Sequence, residues 1–167
     1  MAESQQFCTF FLEGHFFRVP VQQVQEVIRY QEMTQLPLVA DVVRGLINLR
    51  GQIVTAVDLR RCLAMPERAA DQLPMNVVIR TNDGAVSLLV DEIGDVQAVE
   101  EEMREPVPET LQGPTRAMVR GVYKLPNRLL LELDYARAIA VADAVKPAVR
   151  SGTGDRRRRV VLDDREG

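Results

Sequence analysis

The residue types able to do chemistry are few in this chain and poorly spaced for it. His15 is the only histidine and stands beside Gly14 with no Cys or Ser motif near it, which leaves no triad and no histidine-rich metal centre. Cys8 and Cys62 match neither a disulfide framework nor a zinc site, which needs more ligands at closer spacing. The run Glu100-Glu101-Glu102 lacks the ligand spacing of a calcium loop and reads as a solvated turn. Glycines occur singly, so no Gly-rich loop gathers backbone donors around a phosphate. The chain therefore reads as a non-enzyme, and no metal or cofactor is expected.

Recognition chemistry is better represented. Asn48 and Arg50 bracket Leu49 at the end of an apolar run and precede Gly51. In a strand their side chains point to the face opposite Leu49. An arginine held at a hairpin tip offers a planar, always-charged fork suited to a carboxylate or carbonyl of a partner. The same arginine could instead pair with a Glu of its own domain. The run Arg156–Arg159 could touch phosphate or an acidic protein surface. That keeps a nucleic-acid-binding β-barrel as an alternative, although the aromatics cluster in the first apolar segment and read as core, not as a stacking platform.

The elements that must position these residues are short strands. Phe7–Leu12 and Phe16–Val19 form a hairpin about Glu13-Gly14, and Leu46–Leu49 and Ile53–Val57 form a second about Arg50-Gly51-Gln52. Val77–Arg80 and Ala85–Val90 form a third about Asn82-Asp83-Gly84. Val21, Val24, Val27 and Ile28, spaced at three and four, predict a helical turn running into a strand at Ile28-Arg29. A short helical piece is predicted over Leu38–Val43 after Pro37, and Asp58 is placed to cap a helix whose inner face carries Leu59, Cys62 and Leu63. Pro66–Pro74 reads as a linker. Ala138–Val145 reads as a closing helix.

The pattern repeats. Val43-Arg-Gly-Leu-Ile-Asn-Leu, with Asp58 and Arg61 further on, aligns without a gap onto Val119-Arg-Gly-Val-Tyr-Lys-Leu, with Asp134 and Arg137 further on. Asp91–Val96 echoes Val21–Val27 with one residue fewer. Two related half-barrels, each closed by a helical turn, are implied, so the expected fold class is all-β with short helices. The expected folding unit is 1–145, followed by a charged, disordered tail at 146–167.

Length, at 167 residues, suits one domain or two small barrels sharing a core. Apolar residues at 46% and charged residues at 27% are the balance of a globular protein, and a net charge of −3 gives the whole chain no polyanion-binding character. No basic-flanked apolar core opens the chain. Ala138–Ala142, broken by Asp143, is far short of the ~20 residues that cross a bilayer. A cytoplasmic location without membrane insertion is expected.

Phe10-x-Leu12-x-Gly14-x-x-Phe17-x-Val19-Pro20-Val21, Val24-Gln-Glu-Val-Ile28, Leu36-Pro37, Arg44-Gly-Leu-Ile-Asn-Leu-Arg-Gly51-x-Ile-Val and Asp58-Leu-Arg60 closely resemble the CheW family of bacterial chemotaxis coupling proteins. The resemblance extends from about Phe7 to Ile139. Thr55 departs from it, standing where the family often has Pro. The resemblance implies two five-stranded SH3-like barrels on a shared hydrophobic core and a non-catalytic adaptor. Such an adaptor bridges the cytoplasmic tip of methyl-accepting chemoreceptors to the regulatory domain of a CheA-type histidine kinase, in arrays beneath the inner membrane. Matched by position, it implies receptor contact by Val24, Glu26, Asn48, Arg50 and Gly51, with Leu46 and Ile53 as candidates either for kinase contact or for core packing. An adaptor of a gliding, twitching or biofilm pathway remains an alternative of the same fold.

Overall fold

The structure, a computed structural model, describes residues 5–98 and 101–144. The expected boundary at 145 and the charged tail lie outside the described residues. The first hairpin is β1 (Gln6–Leu12) and β2 (His15–Pro20), in register from Phe7 opposite Pro20 to Leu12 opposite His15. A single 3-10 turn at Val21–Gln23 leads directly into β3 (Val24–Ile28). The three-and-four spacing there is therefore not helical beyond that turn. The segment Leu38–Val43 is not a helix either: Leu38 has φ +61°, a left-handed conformation that no right-handed helix contains, and β4 already begins at Val43.

The second hairpin, β4 (Val43–Leu49) and β5 (Gln52–Asp58), feeds α1 (Leu59–Cys62), whose Arg60 amide donates to the Asp58 carboxylate at 3.0 Å. That is the predicted N-cap. The third hairpin is β6 (Met75–Thr81) and β7 (Gly84–Val90). Three two-residue strands follow: β8 (Glu92–Ile93), β9 (Gln97–Ala98) and β10 (Arg104–Glu105). The chain then forms α2 (Gly113–Ala117), β11 (Val119–Lys124), β12 (Leu129–Leu133) and α3 (Tyr135–Ala144).

The two sheets do not correspond to the two halves of the sequence. The first, here barrel I, has the order β3-β6-β7-β5-β4; barrel II has the order β10-β11-β12-β2-β1-β8, with β9 also on β1. Each barrel thus takes one hairpin from the other half. Parallel pairing of β5 with β7 (Thr55 opposite Val86) has its counterpart in β12 with β2 (Leu131 opposite Phe17). The fifth position, β3 in barrel I, is divided in barrel II between β8 and β9.

The repeated Val-Arg-Gly also has a structural cause. Both copies carry a register shift, between Val43 and Gly45 and between Val119 and Gly121. In barrel I, Thr34 closes the sheet onto β4 through two backbone bonds with Leu46, at 2.9 and 2.8 Å. A Cβ on Gly45 would lie 2.6 Å from the Thr34 carbonyl oxygen. In barrel II, Glu105 of β10 stands opposite Val122, the repeat partner of Leu46, and a Cβ on Gly121 would lie 2.7 Å from the Arg104 guanidinium. Gly45 thus lets a backbone segment cross barrel I, whereas at Gly121 the crowding atoms are the tip of a flexible side chain.

Burial divides three ways. Ile47, Leu49, Val54, Ala56, Val78 and Leu89 fill barrel I. Phe10, Phe17 and Val19 of one sheet meet Val57, Ile79 and Leu88 of the other in the shared core, with Leu59, Cys62 and Ala138 from the helices. Barrel II is filled by Phe16, Tyr123 and Leu130 beside a buried Arg18. The Arg18 guanidinium lies 3.5 Å from the centre of the Phe7 ring and 3.9 Å from that of Tyr123, and Nη2 donates to Glu132 at 2.8 Å. Aromatic faces cover the edge of the guanidinium that no hydrogen bond reaches among the described residues.

The segment read as a linker is anchored at Arg68. This side chain, 5% exposed, donates to Asp58 at 3.0 Å, to Asp91 at 2.8 Å and to the Leu89 carbonyl at 3.1 Å. Arg60 meets the same Asp91 through Nε and Nη2, and the Glu13 amide donates to it at 2.7 Å. One ionic cluster thus ties α1, the end of β7, the β1–β2 turn and the 66–74 segment. Burial pushes the Asp91 carboxyl up, but the bonds from Arg60 and Glu13 and the nearby guanidinium charges outweigh it and hold the group below the usual range. A folded value below the unfolded one stabilises fully above the ordinary Asp pKa of about 3.9, and that contribution is lost as pH falls through the depressed value. Denaturation midpoints should therefore fall below about pH 4, and less steeply in Asp91→Asn; equal slopes would show that Asp91 is not part of the acid response.

Candidate functional site

Leu49 opposite Gln52 leaves Arg50 and Gly51 as a two-residue turn, and both have positive φ, 52° and 91°. A primed hairpin turn requires this backbone, and its twist matches that of the strands it joins. Arginine is an uncommon occupant of the left-handed region, which marks the tip as a place where side-chain identity outweighs backbone comfort. The Asn48 side-chain oxygen accepts from the Gly51 amide at 2.9 Å and braces the turn. Leu49, buried in barrel I, anchors it from below.

Arg50 projects from this tip, 72% exposed, and forms an ion pair with Glu26 of β3, which is 20% exposed. The internal pairing weighed from the sequence is therefore present, and its partner is another residue singled out by the resemblance. Gln25 and Gln52, which sequence reasoning missed, reinforce the junction with a 3.3 Å side-chain bond. Their signal was only proximity in the chain, since Gln25 directly precedes Glu26 and Gln52 lies two residues past Arg50. An exposed pair contributes at most about 1 kcal/mol, so the Arg50 fork can turn from Glu26 to an external carboxylate at small cost.

A bulge sets the direction of Glu26. Val24 stands opposite Ile79 but Glu26 opposite Val78, so two residues of β3 face successive residues of β6. Cross-strand partners share a face, which puts Val24 on the shared-core side and Glu26 on the barrel I side. Val24 is half-buried and packs against the shared core, so the structure does not bring it beside Arg50.

Glu26, Asn48, Arg50 and Gly51 do come together, and Leu46 and Ile53 adjoin them. Asn48 stands directly opposite Ile53 and Leu46 opposite the buried Thr55, on the face that alternates with Ile47, Leu49 and Val54 of the barrel I core. Ile53 is 59% exposed and Leu46 half-buried, and neither belongs to a core cluster. An apolar strand face thus continues into a charged tip on one hairpin. Such a surface can dock a protein by shape and charge.

The cysteines are small packing residues. Cys62 is buried, and burial, with the Asp58 charge beside it, pushes its thiol up to about 12; burial also raises the half-buried Cys8. Since the thiolate is the nucleophile, a thiol reagent at pH 8 should label Cys62 slowly in the folded protein and fast in denaturant. Equal rates would place Cys62 at the surface. Among the described residues no three His, Cys, Asp or Glu side chains cluster as metal ligands, and no helix is long and apolar enough to cross a membrane.

Residues 6–143 match the family model described as CheW-like domain. A chemotaxis protein CheW of Bacillus subtilis is 33% identical over 140 residues, covering 84% of this chain and 89% of that one. Protein PilI of Pseudomonas aeruginosa is 32% identical over 88 residues, covering 53% and 49%. Among solved structures, scaffolding protein TtCheW from Thermoanaerobacter tengcongensis has the same fold, with a TM-score of 0.69 at 22% identity over 78% of this chain and 89% of that one.

Proposed function

The chain belongs to the CheW family of non-catalytic chemotaxis adaptors, and from that premise we propose that it couples a methyl-accepting chemoreceptor to the regulatory domain of a CheA-type histidine kinase. The β4–β5 hairpin carries the proposal. Its tip, with Glu26, Asn48, Arg50 and Gly51, meets the receptor, while Leu46 and Ile53 on its outward face meet the kinase. Val24, turned to the other face of β3, offers the receptor only its half-exposed edge.

The mechanism is one of register. A receptor alters kinase output through an adaptor only if its contacts differ between signalling states. Here both proposed contacts sit on one short hairpin whose base is packed in barrel I and whose tip is braced by Asn48 and paired to β3. A displacement at the tip therefore reaches the kinase face without passing through a loop. Each contact is small, and strength in an array comes from many linked contacts.

The location that goes with this role is the cytoplasmic face of the inner membrane, reached through receptors and without insertion. Residues 1–145 form the coupling unit and 146–167 a charged extension of it. The match to Protein PilI, whose name is not that of a chemotaxis protein, leaves one further reading of the same fold, service in a chemosensory pathway other than flagellar chemotaxis. Co-precipitation decides the main reading: the full chain should capture both a receptor cytoplasmic fragment and a CheA-type regulatory domain. Failure to hold either one removes the proposal.

A further inference from the structure

The end of barrel II carries two clefts, of about 450 and 430 Å³, that share Phe16 and Arg128. The first is lined also by Phe11, Ile93 and Leu125 and the second by Pro108, Leu111 and Leu129. Phe11 and Phe16 stack with ring centres 4.8 Å apart, and the Arg128 guanidinium lies 5.4 and 4.9 Å from those centres. Among the described residues no carboxylate pairs with Arg128. The exposed fork is therefore held by aromatic rings between a cleft whose wall includes Asp95, Gln97 and Asn127 and a second, mainly apolar one, with no hydrogen-bond partner for its side chain among the described residues. Its complement is an apolar segment that ends in a carboxylate.

The chain itself contains that segment. Val160-Val161-Leu162 is followed directly by Asp163-Asp164. Seven Lys and Arg against four Asp and Glu give residues 145–167 a net charge of +3, which leaves −6 on the rest of the chain. Asp95, on the first cleft, is a counter-charge for Arg156–Arg159. Reach is sufficient: the stretch from Ala144 to Val160 spans up to ~50 Å, whereas a domain of this size has a radius of gyration of roughly 14 Å.

We propose that residues 160–164 are an internal ligand of barrel II, with the apolar run seated in the second cleft and Asp163-Asp164 paired to Arg128. Tethering supplies a high effective concentration, so a weak contact is enough. Leu129 is the repeat partner of Ile53, the exposed residue proposed for kinase contact, so the docked segment covers the barrel II equivalent of that face. That consequence, unlike the docking itself, rests on the proposed function.

Hydrogen exchange on the full-length protein at low concentration tests the docking. Amides 160–164 should exchange about tenfold more slowly than in Arg128→Glu, the gain expected from a tethered contact. Asp163→Arg with Asp164→Arg should abolish the slowing without touching either barrel, and combining both changes should restore it. Exchange at the free-peptide rate in the wild-type chain overturns the proposal. So does slowing that survives Arg128→Glu, which places the segment elsewhere, or slowing that grows with protein concentration, which makes a second copy the occupant.

Discussion

Replacing Arg68 by alanine should cost the fold about 3 kcal/mol or more, the low end of what removing one partner from a buried ion cluster takes. The low end applies because each carboxylate keeps another cation: Asp58 retains Arg44 at 3.1 Å and Asp91 retains Arg60. Even so, among the described residues Arg68 is the one side chain that pairs with both acids, and its loss also removes the donor on the Leu89 carbonyl. Against a total stability of roughly 5–15 kcal/mol the effect is large for a residue outside every strand and helix. Arg68→Lys should fall between, since one ammonium cannot bridge both carboxylates as a planar fork does. Urea denaturation gives the measurement. A change under about 0.5 kcal/mol would mean that 66–74 is a tether after all.

The second large effect is functional. Arg50→Glu should abolish receptor-dependent stimulation of the kinase while leaving the denaturation midpoint within about 1 kcal/mol of the wild type, because an exposed pair contributes little to the fold. Exchanging both charges, Glu26→Arg with Arg50→Glu, separates two explanations. If Arg50 matters only through its bond to Glu26, the exchange restores coupling. If the fork faces a receptor carboxylate, coupling stays lost. Full coupling in the well-folded single variant removes Arg50 from the interface.

Much of this architecture was legible in the chain because local rules were strong. The three long hairpins announced themselves through apolar runs about Glu13-Gly14, Arg50-Gly51 and Asn82-Asp83-Gly84, and Asp58 stood where a cap was needed. The repeat was visible because Gly45 and Gly121 stand at the same register shift of their two hairpins. What stayed hidden depends on distance along the chain. Arg68 looked like linker because its partners lie 10 and 23 residues away. The exchange of hairpins rests on parallel pairings, such as Arg18 beside Glu132, that leave no local pattern. Strands of two residues fall below any periodicity. At the site, hairpin geometry put Asn48, Arg50 and Ile53 on view, but the bulge that separates Val24 from Glu26 is an offset of one residue that composition does not encode.

The crossed hairpins also bear on how such a molecule can be taken apart. A break in the backbone between β5 and β6 would leave two fragments, each lacking the strands that complete its own wall and each carrying those its mate requires. Neither piece could satisfy its ladder alone, yet together they could rebuild the whole. A protein joined this way melts as one body, and cut within 69–72 it would serve as a pair of mutually dependent parts that report their own reunion.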